Sequence, residues 1–204
     1  MSEPLRGLAE RGDLRRYRKG TLLMEEGGEG DTMYIVLAGR VRAYSIGRND
    51  REITYGVYGP GEYVGEMCCL DAGRRAANVI ALEPTTCSVV TAQTLREHIV
   101  ARPDFALELL DRVVRRARLA TGSARSMALL DVYGRVVGLF DELAAPQSDG
   151  SRFIAQRLTH AEIAARVGCS REMVSRLMKD LERGGYVVST PDGIRVARAL
   201  PPRW

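Results

Sequence analysis

The sequence predicts an α+β protein in three successive parts: a barrel or sandwich of short strands, a long helix, and a C-terminal winged helix-turn-helix. Three observations carry this prediction. Short apolar runs separated by glycines fill residues 14–95, a pattern typical of all-β domains. A proline-free stretch with apolar residues three and four positions apart follows, as in an amphipathic helix. Two capped helical segments and a hairpin then complete the pattern.

The first part contains the predicted strands. Strands at intervals of about 8–12 residues, with glycine or proline in the turns, are typical of a sandwich or barrel. They are predicted at Thr21–Met24, Met33–Ala38, Arg40–Ile46 and Glu52–Tyr58, and on either side of Pro84 in the segment NVIALEPTTCSVVT.

The second part is predicted to be helical from Ala92, with a turn near Arg102–Pro103. From Asp104 to about Ala144 no proline interrupts the pattern, so we expect one helix of about 40 residues and roughly 60 Å. A helix of that length extends beyond a domain of this size, which favours pairing with a second copy over packing on its own barrel. The predicted dimer seam is Leu110, Val113, Ala117, Ala120, Ala124 and Met127.

The third part follows a polar segment, APQSDGSRF, which reads as a linker or turn. Thr159 and Glu162 have the spacing of a capping box, which predicts the start of a helix. Gly168 is placed to end that helix, and Ser170 to cap the next one, REMVSRLMKDLER. The segment YVVSTPDGIRVA predicts a hairpin around a Pro-Asp-Gly turn. Helix, tight turn, helix and hairpin form a winged helix-turn-helix.

Charge is distributed unevenly along the chain. The net charge is +4, and the whole excess falls after Ala145, which predicts a polyanionic partner for the C-terminal part. No nucleophile elbow, HExxH, P-loop or pair of suitably spaced carboxylates occurs, so we predict no enzyme and no catalytic residue. The two histidines, His98 and His160, are isolated from each other and from cysteine pairs, so no metal site is predicted.

No apolar run approaches the roughly 18–20 residues that a membrane span needs, so no membrane partner is predicted. The N-terminus shows no apolar core of a secretory signal, so a cytoplasmic protein is expected.

The segment CSREMVSR raises the question of why a short helix gathers three charges on one side. Successive helical residues turn by about 100°, which places Arg171, Glu172 and Arg176 on one face together with Ser175, opposite an apolar face that begins at Met173. Arginine can donate two hydrogen bonds to guanine, and glutamate can accept one from cytosine. A solvated face with a Glu172–Arg176 ion pair is the alternative. The capped preceding helix, the wing and the local positive charge favour DNA reading.

Several segments resemble the cyclic-AMP receptor protein/FNR (CRP/FNR) family of bacterial transcription regulators. VGCSREMVSRLMKDLE resembles its recognition-helix motif, LLDVYGRV its hinge, and GEYVGEM with RRAANVIA its phosphate-binding cassette. The resemblance covers nearly the whole chain. It implies a cyclic-nucleotide-binding β jelly-roll barrel in residues 1–102, a dimerisation helix and hinge in 103–144, and a winged helix-turn-helix DNA-binding domain in 145–204.

The resemblance also implies roles for residues at the DNA. Arg171, Glu172 and Arg176 would read a half-site of the TGTGA type in double-stranded DNA, and a homodimer would read an inverted repeat. Thr159 and Ser170 are candidates for phosphate contacts through their hydroxyls or nearby backbone amides. RNA polymerase is a further expected partner. An effector in the barrel is expected to shift the hinge near Leu130–Arg135 and so change the spacing of the two recognition helices.

The candidate effector is a cyclic nucleotide such as cyclic AMP (cAMP). The resemblance assigns the ribose to Gly65 and Glu66, and the cyclic phosphate to Arg75, with Arg74 as second choice. The family's serine after that arginine is Ala76 here, and the two adenine-contacting hydroxyl positions fall on Ala120 and Thr121. The predicted effector-binding set is Gly65, Glu66, Met67, Arg74, Arg75, Ala76, Ala120 and Thr121.

Each missing hydroxyl removes a hydrogen bond worth about 0.5–1.5 kcal/mol, so a different nucleotide remains an alternative to cAMP. A regulator whose barrel binds no nucleotide, and which responds to a partner or to oxidation of Cys68 and Cys69, is the other alternative.

Overall fold

The structure is a computed structural model that describes residues 1–47 and 52–201. The chain forms two compact units, Met1–Ser45 with Thr54–Arg118, and Ile46–Ile53 with Leu119–Trp204. The predicted α+β class is confirmed. Residues 202–204, which end the predicted DNA-binding domain, lie outside the described residues.

The N-terminal unit is built on two four-stranded sheets. The strands are β1 (Asp13–Tyr17), β2 (Leu22–Met24), β3 (Thr32–Ala38), β4 (Val41–Ile46), β5 (Glu52–Tyr58), β6 (Tyr63–Val64), β7 (Asn78–Ala81) and β8 (Thr85–Thr91). One sheet has the order β1-β8-β3-β6 and the other β2-β7-β4-β5. Both sheets contribute to one apolar cluster, which includes Met24, Val36, Val41, Val64 and Val79. The predicted barrel or sandwich is therefore present.

Two strands were missed because their sequences lack the pattern of a half-buried strand. All of β1 except its last residue is exposed, so it has no apolar alternation, and β6 has only two residues. Two short helices in this unit were also not assigned bounds from the sequence, α1 (Glu3–Ala9) and α2 (Glu66–Asp71).

The prediction of one helix from Asp104 to Ala144 is wrong. After α3 (Ala92–Ala101), the chain forms α4 (Pro103–Leu129) and then α5 (Val132–Leu143). Leu130 and Asp131 separate the last two helices, and the Asp131 carboxylate caps α5 by accepting a hydrogen bond of 2.7 Å from the Gly134 amide. The 27 residues of α4 span about 40 Å.

The C-terminal unit contains a winged helix-turn-helix. Its helices after α5 are α6 (His160–Val167) and α7 (Arg171–Arg183), and its strands are β9 (Ala145–Pro146), β10 (Arg152–Ile154), β11 (Val187–Thr190) and β12 (Gly193–Val196). The sheet order is β11-β12-β10-β9. The segment predicted as a linker thus supplies two strands to the winged sheet. Helix α5 packs into the same core through Tyr133, Val136 and Phe140.

Candidate nucleic-acid interface and effector pocket

The helix-turn-helix is fixed by the caps that the sequence predicts. The Thr159 hydroxyl oxygen accepts from the Glu162 amide at 3.2 Å, and the Glu162 carboxylate accepts from the Thr159 amide at 2.7 Å. Gly168 ends α6 with a φ of 68°, in the left-handed region that suits glycine. Ser170 accepts from the Met173 amide at 3.3 Å. The Thr159 hydroxyl also donates its hydrogen to Glu162 at 2.9 Å. A phosphate contact at Thr159 would therefore have to be made by backbone amides.

The face of α7 that is predicted to read bases is exposed to solvent. Arg171, Glu172, Ser175 and Arg176 are all exposed, whereas the opposite face is buried in the C-terminal core, as Val174, Leu177, Met178 and Leu181 show. Met173 departs from the prediction, since it lies at the edge of the apolar face and is 45% exposed.

The charged groups on that face are not neutralised by each other. Within residues 1–47 and 52–201, no carboxylate lies within 4.0 Å of the guanidinium of Arg171 or Arg176, so the alternative Glu172–Arg176 ion pair is not formed. Hydrogen bonds from its own amide and from Ser170 lower the pKa of Glu172, with smaller contributions from the two arginines. The carboxylate is therefore ionised at neutral pH and able to accept from a base.

A cleft of about 590 Å³ lies between the start of α6 and the wing. Its lining includes Arg157, His160, Arg171, Ser189 and Thr190. Basic and hydroxyl side chains of this kind are the ones that contact DNA phosphates. Arg157 and the wing hydroxyls were not identified from the sequence, because their proximity to α6 depends on the folding of the winged sheet.

In the N-terminal unit, Arg75 is a buried cation that donates hydrogen bonds to neutral oxygens. The residue is only 7% exposed to solvent. Nη1 donates to the Thr32 carbonyl at 2.7 Å and the Gly65 carbonyl at 3.3 Å, and Nη2 donates to the Thr32 hydroxyl at 3.0 Å. No carboxylate of the described residues lies within 4.0 Å. A buried charge that has only neutral acceptors favours the binding of an anion.

Two glycines make room for this guanidinium. Gly65 has a φ of 86°, and a Cβ there would lie 2.7 Å from Nη1 of Arg75. A Cβ at Gly30 would lie 2.3 Å from Nη2. Both distances are shorter than van der Waals contact allows, so a side chain at either position would displace Arg75.

Glu66 lies at the start of α2 and is 1% exposed. Its Oε1 pairs with Nη1 of Arg116 from α4, while Arg116 Nη2 donates to the Tyr63 carbonyl at 2.6 Å. Oε2 is buried and has no hydrogen-bond partner in the part of the chain that the structure describes. A buried acceptor without a donor is costly, and a ligand hydroxyl would satisfy it.

Aromatic rings and the charge of Glu66 surround Arg116. Its guanidinium lies 5.0 Å from the ring centroid of Tyr58 and 5.6 Å from that of Tyr63. Burial alone would lower the pKa of Arg116, but the charge of Glu66 and the neighbouring tyrosines raise the pKa above its usual value. Arg112, one turn earlier, also lies over Tyr63, at 4.9 Å.

Thr32 and Arg116 were missed by the sequence reasoning. A signal for Arg116 exists: Phe105 and Leu109 are the buried positions of α4, and Arg112 and Arg116 continue their spacing of three and four residues. A basic residue on the inward face of an amphipathic helix needs a partner.

The remaining predicted effector residues are exposed. The Arg74 side chain is 73% exposed and donates to the Gly27 carbonyl at 2.9 Å, so it does not share the burial of Arg75. Met67 is 51% exposed, and Ala76 is exposed as well. Ala120 and Thr121 are exposed on α4, four and five residues after Arg116.

All four cysteines are buried. Burial raises the pKa of Cys69 and of Cys87 to about 11. Thiols of this kind react slowly with oxidants, because the thiolate is the reactive form. This observation weighs against oxidation of Cys69 as the signal.

Among the described residues, no group of three or more His, Cys, Asp and Glu side chains is placed to hold a metal ion. No described helix combines the length and apolarity required to cross a membrane.

Comparison with known proteins decides the family. A cyclic nucleotide-binding domain matches residues 14–101, and a Crp-like helix-turn-helix domain matches residues 134–199. The chain is 31% identical over 185 residues to the cyclic AMP receptor protein of Thermus thermophilus, covering 91% of this chain and 84% of that protein. The chain belongs to the CRP/FNR family. It is therefore a transcription regulator with a DNA-binding helix-turn-helix, and not an enzyme.

Other CRP/FNR proteins align over similar lengths. A CRP-like cAMP-activated global transcriptional regulator of Mycobacterium tuberculosis is 29% identical over 89% of this chain and 85% of its own. The structure of the c-di-GMP responsive global regulator CLP of Xanthomonas campestris superposes with a TM-score of 0.81 and 24% identity, covering 96% of this chain and 99% of that one. At that identity the likeness shows the CRP/FNR fold alone.

Proposed function

We propose that this CRP/FNR regulator is a homodimer whose binding to a DNA inverted repeat is controlled by a cyclic nucleotide in the N-terminal barrel. The effector part of the proposal rests on two buried groups whose charge or hydrogen-bonding capacity is not fully satisfied by the protein. Among the described residues, the buried cation Arg75 has no carboxylate partner, and one buried oxygen of Glu66 has no donor. A ligand with an anionic phosphate and a sugar hydroxyl satisfies both groups.

The charges around Arg75 and Glu66 fit a singly charged ligand. Arg116 is neutralised by Glu66, and Arg112 by Glu108 at 3.1 Å. Arg75 is left as the cation to be matched. A cyclic phosphodiester carries one negative charge, so its binding leaves no unpaired charge buried. The relatives named as cAMP-activated make cAMP the first ligand to test.

The DNA part of the proposal rests on α7. Arg171, Glu172 and Arg176 face solvent with Ser175 beside them, and no ion pair holds them among the described residues. Their side chains have the chemistry of a TGTGA-type half-site reader. Thr159 and Ser170 are proposed to orient backbone amides toward phosphates. RNA polymerase is the proposed protein partner, and the cytoplasm the proposed location.

The dimer part of the proposal rests on α4. The predicted seam residues are all exposed, and the larger ones include Leu110 at 59% and Met127 at 44%. A row of exposed apolar side chains along one helix is typical of an interface. We propose that a second copy of α4 packs against this row, because helices with apolar residues spaced three and four apart pack against one another in coiled coils.

The hinge offers a route from effector to DNA. Arg135 of α5 donates to the Leu130 carbonyl at 2.8 Å and to the Val167 carbonyl at 2.7 Å. It thereby fastens the α4–α5 break to the end of α6. We expect effector binding to change this break. In a dimer, the two recognition helices must lie about 34 Å apart to enter successive major grooves.

The effector proposal is tested by nucleotide binding measured with titration calorimetry. Replacing Arg75 by Leu removes the buried cation and should weaken cAMP binding about tenfold or more, since hydrogen bonds to charged groups contribute about 1.5–3 kcal/mol. Arg74→Leu is the matched control, because Arg74 is exposed, and it should bind within about twofold of wild type. Absence of binding by the wild-type protein to cAMP, cyclic GMP and cyclic di-GMP contradicts the proposal, as does equal binding by Arg75→Leu.

A further inference from the structure

We propose that the Thr32 hydroxyl contacts the phosphate of the effector and takes the place of the hydroxyl that is missing at Ala76. This inference rests on the proposed cyclic-nucleotide function and assigns one more residue to that site.

The position of Thr32 is fixed by the sheet. It begins β3 and pairs with Thr91 at the end of β8. From there it provides two of the three acceptors of the Arg75 guanidinium, its carbonyl at 2.7 Å and its hydroxyl oxygen at 3.0 Å. Thr32 therefore orients the buried cation that the phosphate is proposed to meet.

The Thr32 hydroxyl also keeps a donor available. A hydroxyl has one hydrogen to donate and two lone pairs. Its oxygen accepts from Arg75 Nη2, and no acceptor for its hydrogen is found among residues 1–47 and 52–201. Because Nη2 and Oγ1 are 3.0 Å apart, one phosphate oxygen can accept from both. A hydrogen bond to an anionic oxygen is stronger than one between neutral groups.

The other positions near Arg75 in the sequence cannot supply this hydroxyl. Ala76 has only a methyl group, and the Arg74 side chain is exposed. The hydroxyl of Thr91, the strand partner of Thr32, already bonds with the hydroxyl of Thr94 at 3.0 Å and caps α3. Thr32 is thus the hydroxyl that directly contacts the buried guanidinium.

The test compares cAMP affinities by titration calorimetry for full-length variants. Thr32→Val keeps the shape of the side chain but removes the hydroxyl, and should weaken binding roughly tenfold. Thr32→Ser keeps the hydroxyl and should bind within about threefold of wild type. Thr86→Val is the matched control, because Thr86 pairs with Ala38 at the opposite end of β3, and it should leave the affinity unchanged.

A second variant separates phosphate contact from a merely structural role. Ala76→Ser restores a hydroxyl at the family's serine position without replacing an acceptor of Arg75. Added to Thr32→Val, it should recover most of the lost affinity. Melting temperatures of all variants check that each one folds.

The outcomes distinguish this inference from the function on which it rests. Tight binding by Thr32→Val, together with loss in Arg75→Leu, overturns the role of Thr32 and leaves the cyclic-nucleotide proposal standing. Equal losses in Thr32→Val and Thr86→Val, or a Thr32→Ser variant as weak as Thr32→Val, also overturn it. Failure of Ala76→Ser to recover affinity overturns the replacement of one hydroxyl by the other. A wild-type protein that binds no cyclic nucleotide refutes both proposals.

Discussion

The ion pair between Glu66 and Arg116 is more deeply buried than the ion pair between Arg115 and Asp111 on the same helix. The Glu66 side chain is 2% exposed and the Arg116 side chain 30%. By contrast, the pair of Arg115 with Asp111 is exposed, at 75% and 59%. Removing one partner of a buried pair leaves the other charge without compensation, whereas exposed charges are solvated by water.

The expected result is a large difference between two neighbouring substitutions. Arg116→Leu should lower the free energy of unfolding by about 2–3 kcal/mol, somewhat less than for fully buried pairs because Arg116 keeps partial exposure. Arg115→Leu should change it by less than about 0.5 kcal/mol. Urea denaturation of the full chain, followed by circular dichroism, measures both. Equal effects of the two substitutions would contradict the account of Glu66 as a buried charge.

The thiols lead to a prediction about pH. Burial raises the pKa of Cys69 and Cys87 to about 11, so about one thiol in a thousand is ionised at pH 8. Alkylation of Cys69 and Cys87 by iodoacetamide in the native protein should be slow at pH 8, should accelerate as pH rises toward 11, and should become fast on unfolding. Rapid modification of Cys69 in the folded protein at pH 8 would revive the redox-responsive alternative.

The faces of helix α4 differ in burial. Phe105 and Leu109 are buried, and Arg116 reaches Glu66 from nearly the same direction. Leu110 lies about 100° around the helix from Leu109 and is 59% exposed. Leu119 is 69% exposed and lies about 180° from Leu110.

Charge placed on the proposed seam should therefore prevent dimerisation, and the same charge on the far side should not. We expect Leu110→Asp to shift the protein toward monomer in sedimentation-velocity ultracentrifugation, because two unpaired carboxylates would face each other at an apolar contact. Leu119→Asp is the matched control and should remain dimeric. A monomeric wild-type protein, or a Leu110→Asp dimer as tight as wild type, would refute the seam.

The break at the end of α4 could not be predicted from local sequence patterns. The stretch from Asp104 to Ala144 has no proline and keeps an apolar periodicity, so it reads as one helix. The break depends on Asp131, whose capping role requires its carboxylate to accept a hydrogen bond from the Gly134 amide. Capping motifs inside a continuous apolar pattern are ambiguous in sequence, because an aspartate is also tolerated on an exposed helix face.

The order of parts along the chain could be predicted, because each part has its own periodicity and its own stop signals. Capping residues at Thr159 and Ser170 and the glycine at Gly168 located the helix-turn-helix closely. The same local signals could not reveal Thr32 beside Arg75, or Arg116 beside Glu66. Those contacts join residues 43 and 50 positions apart, and they depend on how the sheets and α4 pack.

A regulator of the proposed kind must couple two sites that lie in different parts of the chain. Effector binding can change DNA affinity only if the effector has different affinities for the two states of the protein. By linkage, the tightening of DNA binding by cAMP must equal the tightening of cAMP binding by DNA.

The most direct measurement is fluorescence anisotropy of a labelled TGTGA inverted-repeat duplex at fixed salt, with wild-type protein and with Arg75→Leu, each with and without cAMP. We predict that cAMP tightens DNA binding by wild type about tenfold or more, and that Arg75→Leu binds like the nucleotide-free wild type in both conditions. DNA binding by the wild type that is equally tight with and without cAMP, cyclic GMP and cyclic di-GMP would contradict this prediction.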